Sequence, residues 1–176
     1  MKISAEQRGQ EHDFSAGQSN MIQDTPAVKS VYLHPGQLFV ATEPAAVTTI
    51  LGSCVAVCVW DLVLSIGGIN HYLLPAGVKT ASTGLRYGNV AIEQLLEKLS
   101  RAGATHSNLR AKLFGGACVL EAMRGKENHL GDKNVDIARK MLSEAGIPVV
   151  ASDVGGGRGR KLIFHPHEGS ALVKLL

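Results

Sequence analysis

Polar residues dominate the first 28 positions of the chain, and from residue 29 short apolar runs recur to the end, separated by turn residues. The polar stretch predicts a flexible extension, 1–28, and the remainder a single domain, 29–176. Runs at 31–33, 37–41, 47–51, 55–61, 65–75, 109–114, 147–152, 161–165 and 171–176 are too short for typical helices and predict strands. Two segments carry a different period. Across 89–102, Val90, Ile92, Leu95, Leu96 and Leu99 share one face, with Glu93, Glu97, Lys98 and Arg101 elsewhere, and Gly103 closes the segment as a helix stop. A second helix is predicted over 135–145, with Asn134 as N-cap and Gly146 just past its end. Strands outnumber helices and do not alternate with them, which disfavours a doubly wound sheet. The expected class is α/β in the broad sense (α+β): two packed β-sheets flanked by helices.

One stretch organises the rest. The apolar run 48–61 is broken once, by Gly52-Ser53, and the residue after that turn is Cys54. The next run, 65–75, contains His71. A hairpin turn centred on Leu62-Val63 places Cys54 directly opposite His71, with Cβ atoms about 5 Å apart. A thiol and an imidazole at that distance form an activated cysteine nucleophile. A slip of one residue would put them on opposite faces. The competing reading is structural: a strand cysteine as a small buried hydrophobe, and a strand histidine as a hydrogen-bonded core or rim residue.

Composition narrows the alternatives. The chain has 176 residues, 45% hydrophobic and 19% charged, which marks a globular domain with a sizeable core. A net charge of +3, without a dense Lys/Arg block, gives no case for nucleic acid. Three cysteines, Cys54, Cys58 and Cys118, make neither a disulfide framework nor a zinc spacing, and they point to a reducing, cytoplasmic setting. Residues 1–25 lack the apolar core of a signal peptide, and no run reaches membrane-spanning length. His165-Pro166-His167 has no further metal ligand nearby in sequence. The Gly-rich basic segment 153–160 lacks the Walker ending and is expected to be a solvated loop. The loop 76–87 borders the candidate site. Gly115-Gly116 marks a close backbone approach to a strand or a ligand.

The Gly52-Ser53-Cys54 turn, His71-Tyr72-Leu73-Leu74-Pro75, Phe114-Gly115-Gly116-Ala117 and Leu130-Gly131-Asp132-Lys133-Asn134, in this order, resemble the CheD family of chemoreceptor glutamine deamidases. The resemblance spans roughly 31–176. It implies a fold similar to the catalytic domain of cytotoxic necrotizing factor toxins. It also implies hydrolysis of glutamine side-chain amides on methyl-accepting chemotaxis receptors, with no metal or organic cofactor and no membrane insertion. A CheC-type phosphatase is the further partner it suggests. The family's catalytic cysteine and histidine carry over to Cys54 and His71. Its threonine, six residues before the cysteine, carries over to Thr48 in preference to the adjacent Thr49. Amides of the turn, Gly52 and Ser53, are candidate oxyanion supports. The polar extension departs from the family, as does Lys133, which stands where the family form has arginine and lacks its bidentate donor. The other function class left open is a non-catalytic adaptor that holds receptors or CheC.

Overall fold

A computed structural model describes residues 28–78, 84–120 and 129–176. The expected extension, apart from Val28, lies outside the described residues, as does part of the loop 76–87. Strand β4 (Val55–Asp61) is buried along its whole length and is the middle of a five-stranded sheet. Its neighbours are β5 (Gly67–Tyr72) and β6 (Leu109–Gly115), both antiparallel to it. Beyond them lie β2 (Gln37–Ala41), antiparallel to β5, and β7 (Val149–Val154), parallel to β6. A four-stranded sheet of order β1-β3-β8-β9 is built from β1 (Lys29–Tyr32), β3 (Ala45–Leu51), β8 (Arg160–His165) and β9 (Ser170–Leu175).

The period-two alternation of β4 explains the layering. Val55, Val57 and Val59 face one way, against Ile92, Leu95 and Leu99 of α1 (Gly88–Arg101) and Val135, Ala138 and Leu142 of α2 (Leu130–Glu144). Ala56, Cys58 and Trp60 face the other way, against Val47, Leu51, Leu162 and Phe164 of the four-stranded sheet. The result is three layers, helices on sheet on sheet, in the expected α+β class. Because both faces of β4 are covered, its sequence reads as a continuous apolar run rather than an alternating one.

The strand expectations for the described residues match to within a few residues, and α1 starts one residue before its expected position. Two expectations need correction. Helix α2 begins at Leu130, not Val135, and its N-cap is His129, whose ring accepts from Asp132 N at 3.3 Å. Asn134 is therefore inside the helix, on its buried face. The segment 153–160 is not simply a solvated loop. Arg160 is 2% exposed and its guanidinium donates to Asp153 Oδ1 at 2.9 Å, Gly155 O at 2.5 Å and Gly115 O at 3.3 Å. It ties the end of β6 to the glycine turn.

Candidate active site

The chain leaves the four-stranded sheet at Leu51 and enters the five-stranded sheet at Val55. Gly52, Ser53 and Cys54 are the crossing, which sets Cys54 at the rim of the space between the sheets. Its side chain is half-buried and packs on the inter-sheet core.

The β4–β5 register differs from the expected one. Ala56, not Cys54, pairs with His71. The turn is centred later because Asp61, 2% exposed, accepts from Val63 N at 2.8 Å and Leu64 N at 3.0 Å. The shift is two residues, an even number, so Cys54 keeps the inward direction of Ala56 and lies diagonally from His71 rather than opposite it.

The expected Thr48 is displaced by its neighbour. On β3, Val47, Thr49 and Leu51 are buried inward, while Thr48 and Ile50 lie on the outer face, with Thr48 between Tyr32 and Ile163. Thr49 Oγ1 is 2.8 Å from His71 Nδ1 and 2.8 Å from Leu33 O. A carbonyl only accepts, and a hydroxyl has a single proton, so Thr49 donates to Leu33 and accepts from His71. His71 is thereby fixed with its proton on Nδ1 and its lone pair on Nε2. Among the described residues, the buried Nε2 has no hydrogen-bond partner.

Burial decides the charge states. His71 is 1% exposed, and desolvation lowers its pKa to about 4, helped by the nearby His34 and opposed by the Leu33 carbonyl. Burial also raises the Cys54 thiol above its ordinary value, partly offset by its own backbone N–H. At neutral pH the two groups rest as thiol and imidazole, not as an ion pair. Buried neutral, His71 also links stability to pH. The unfolded chain takes up its proton near pH 6.5 and the folded chain only near 4, so the contribution is full above pH 6.5 and is lost as pH falls to about 4. The loss is on the order of 3 kcal/mol.

The crossing is held from both sides. Gly52 O accepts from Ala117 N and Cys54 O from Gly116 N, each at 2.8 Å. Gly115 makes this approach possible: at φ +107° a Cβ there would sit 2.1 Å from Cys54 O. The expected close approach at Gly115-Gly116 is thus onto the cysteine's own peptide. Asn134, fully buried, holds the other side. Its Nδ2 donates to Ser53 O and Leu73 O, each at 2.9 Å, and its backbone carbonyl accepts from the Tyr72 hydroxyl at 2.5 Å. One side chain therefore joins the turn before Cys54 to the strand end after His71. In a trans peptide the N–H points opposite to the C=O. With Gly52 and Ser53 carbonyls turned to Ala117 and Asn134, the Ser53 and Cys54 amides turn away from these anchors, the latter toward its own sulfur. Asn134 was readable in sequence only as a cap. The signal available was an amide on the 131, 135, 138, 142 face of an otherwise apolar helix stripe.

The other histidine pair, His165 and His167, has ring centroids 6.0 Å apart, edge to face. Among the described residues no cluster of three or more metal-ligating side chains forms, and no helix is long and apolar enough to cross a membrane.

Comparison with known proteins adds the family. A family model described as CheD chemotactic sensory transduction matches residues 73–175. A protein of Anaeromyxobacter dehalogenans named probable chemoreceptor glutamine deamidase CheD 1 is 56% identical over 83% of this chain and 84% of its own length. The similarly named CheD of Sulfurimonas denitrificans is 43% identical over 81% of this chain and 92% of its own. CheD 2 of Geobacter sulfurreducens is 44% identical over 86% and 92%. With more than half the chain matched by the family model and these identities sustained over most of both lengths, this chain belongs to the CheD family.

Proposed function

We propose that this chain hydrolyses glutamine side-chain amides of methyl-accepting chemoreceptors to glutamate and ammonia, with Cys54 as nucleophile, His71 as general base and acid, and Thr49 as the group that orients His71. The relatives' names supply the reaction and the substrate class. The family match begins at residue 73, past both Cys54 and His71, so their roles rest on geometry. The observation that carries the reading is the Leu33–Thr49–His71 chain of hydrogen bonds, which leaves the unprotonated Nε2 without a partner among the described residues, on the inter-sheet face that Cys54 borders.

The chemistry follows from the charge states. His71 Nε2 takes the thiol proton as sulfur attacks the glutamine Cδ, forming the C–S bond and moving the carbonyl π pair onto oxygen. In this reading the amides of Cys54 and Ser53 donate to that oxyanion, and Gly52 supplies the turn. The intermediate collapses with cleavage of the C–N bond, and the imidazolium gives its proton to the departing ammonia. Water then attacks the thioester while His71 takes a proton from it. The C–S bond breaks, glutamate leaves, and the imidazolium returns the proton to Cys54. Unpaired Cys54, Cys58 and Cys118 suit the reducing cytoplasm that such a nucleophile needs. The resemblance further implies a CheC-type phosphatase as partner, which co-purification of the two chains tests.

Ammonia release from a chemoreceptor cytoplasmic fragment tests the reaction. Release is expected from the fragment with its glutamines and not from one with those glutamines replaced by glutamate; equal signals from both would refute it. Thr49→Val should lower kcat about ten- to a hundredfold by freeing the His71 ring, whereas Thr48→Val, on the outer face, should leave kcat within twofold. The reverse ranking would return the role to Thr48. The resting thiol has a pH signature as well. Alkylation of Cys54 by iodoacetamide should keep rising through pH 9, because the thiol is raised. The acid limb of kcat/KM should lie near pH 4, where His71 protonates, with activity lost below it. An alkylation plateau at neutral pH would instead mean a preformed ion pair.

A further inference from the structure

Beside the nucleophile turn lies a cavity of about 140 Å³, lined by Ser53, Ala117, Val119, Leu120, Leu130 and Gly131, with Cys118 and His129 completing it. Three of its large apolar side chains are left open to solvent: Val119 is 45% exposed, Leu120 66% and Leu130 41%. Exposed apolar residues scattered singly need no explanation, but three around one concavity do. The cavity adjoins the nucleophile turn. Ser53 immediately precedes Cys54, and Ala117 N is bonded to Gly52 O. Gly131 packs against Gly116, whose N–H holds Cys54 O.

We propose that this cavity is a specificity subsite that takes one aliphatic side chain of the substrate protein, adjacent to the target glutamine. This deepens the deamidase reading and rests on it. A glutamine fixed in a protein cannot reach Cys54 without bringing its neighbours onto the surface around Ser53, and among the described residues this cavity is an apolar part of that surface. The size fits a single side chain, since an engineered apolar cavity of about 150 Å³ holds one benzene. The walls offer little to a charged residue. His129 lines it with its ring engaged at the start of α2, by Asp132 N on one side and the Asp132 carboxylate on the other, at 3.3 Å each. The subsite therefore selects among glutamines by what flanks them and does no chemistry itself.

Leu130→Asp tests this with little risk to the fold, because an acidic residue in the first turn of a helix is favourable. With a chemoreceptor cytoplasmic fragment as substrate, KM should rise about ten- to a hundredfold while kcat holds, the range one apolar side chain is worth in a pocket. Leu130→Met should restore KM, and iodoacetamide alkylation of Cys54 should be unchanged in both variants. In parallel, adding the fragment to methyl-labelled Cys54→Ala protein should shift the methyl resonances of Val119, Leu120 and Leu130. Normal turnover with KM within twofold of the parent, or with those methyls unmoved on binding, overturns the subsite alone. Absence of both turnover by the parent and binding by Cys54→Ala overturns the deamidase reading, and the subsite with it.

Discussion

Cys54→Ala is expected to lower glutamine hydrolysis by at least about 10³-fold while the protein stays folded. The two halves of this result have separate causes. The thiol sulfur forms the covalent bond in the proposed reaction, and no other described side chain at the crossing offers a comparable nucleophile. Stability should change by less than about 1 kcal/mol, since the side chain is only half-buried and loses one heavy atom. The turn is held by its backbone, through Ala117 N, Gly116 N and Asn134, and none of these bonds involves the sulfur. Thermal melting followed by circular dichroism, beside ammonia release, reads both. A large loss of melting temperature would mean that Cys54 is a core residue first.

His71→Asn should lower kcat by about 10²- to 10⁴-fold, the usual contribution of a general base. Asparagine is the informative replacement. Its amide N–H can still donate to Thr49 Oγ1, as His71 Nδ1 does at 2.8 Å, but it offers no lone pair where Nε2 stood. The substitution also removes the titrating group, so stability should no longer fall between pH 6.5 and 4 as in the parent. Retained kcat would show that Cys54 is activated without His71. Unchanged acid sensitivity would show that another group sets the pH dependence of stability.

Period was legible in this sequence; register and parity were less so. The apolar runs marked the strands, and the 3.6-residue stripe marked α1, because burial on one face leaves a repeating pattern. The pairing of β4 with β5 was set instead by the Asp61 carboxylate gathering Val63 N and Leu64 N, a polar contact no hydrophobic pattern encodes. An even shift preserved the face that Cys54 and His71 share. Thr48 and Thr49 differ by one residue, and one residue inverts the face. Both parities of β3 carry apolar side chains, Ala46 and Ile50 on one, Val47 and Leu51 on the other, so alternation alone did not choose between them. Only the carbonyl of Leu33, just past β1, and the ring of His71 on β5 do so.

The start of α2 was hidden for a related reason. Leu130-Gly131-Asp132-Lys133-Asn134 reads as a turn by composition, yet tertiary contacts make it helical. Gly131 is needed for its close approach to Gly116, where a Cβ would meet Gly116 O at 2.2 Å, and Asn134 for its reach to Ser53 and Leu73. Those residues serve the site at the expense of local helix propensity. Arg160 looked like surface charge beside glycines for the same reason: its partners are carbonyls of Asp153, Gly155 and Gly115, invisible to a charge count.

The most direct test is peptide mass mapping of a chemoreceptor cytoplasmic fragment incubated with the parent protein and, side by side, with Cys54→Ala. Amide-to-acid conversion at defined glutamines with the parent only is the predicted result. Conversion at the same glutamines by folded Cys54→Ala would contradict a cysteine nucleophile, and no conversion by either folded protein would contradict the deamidase itself.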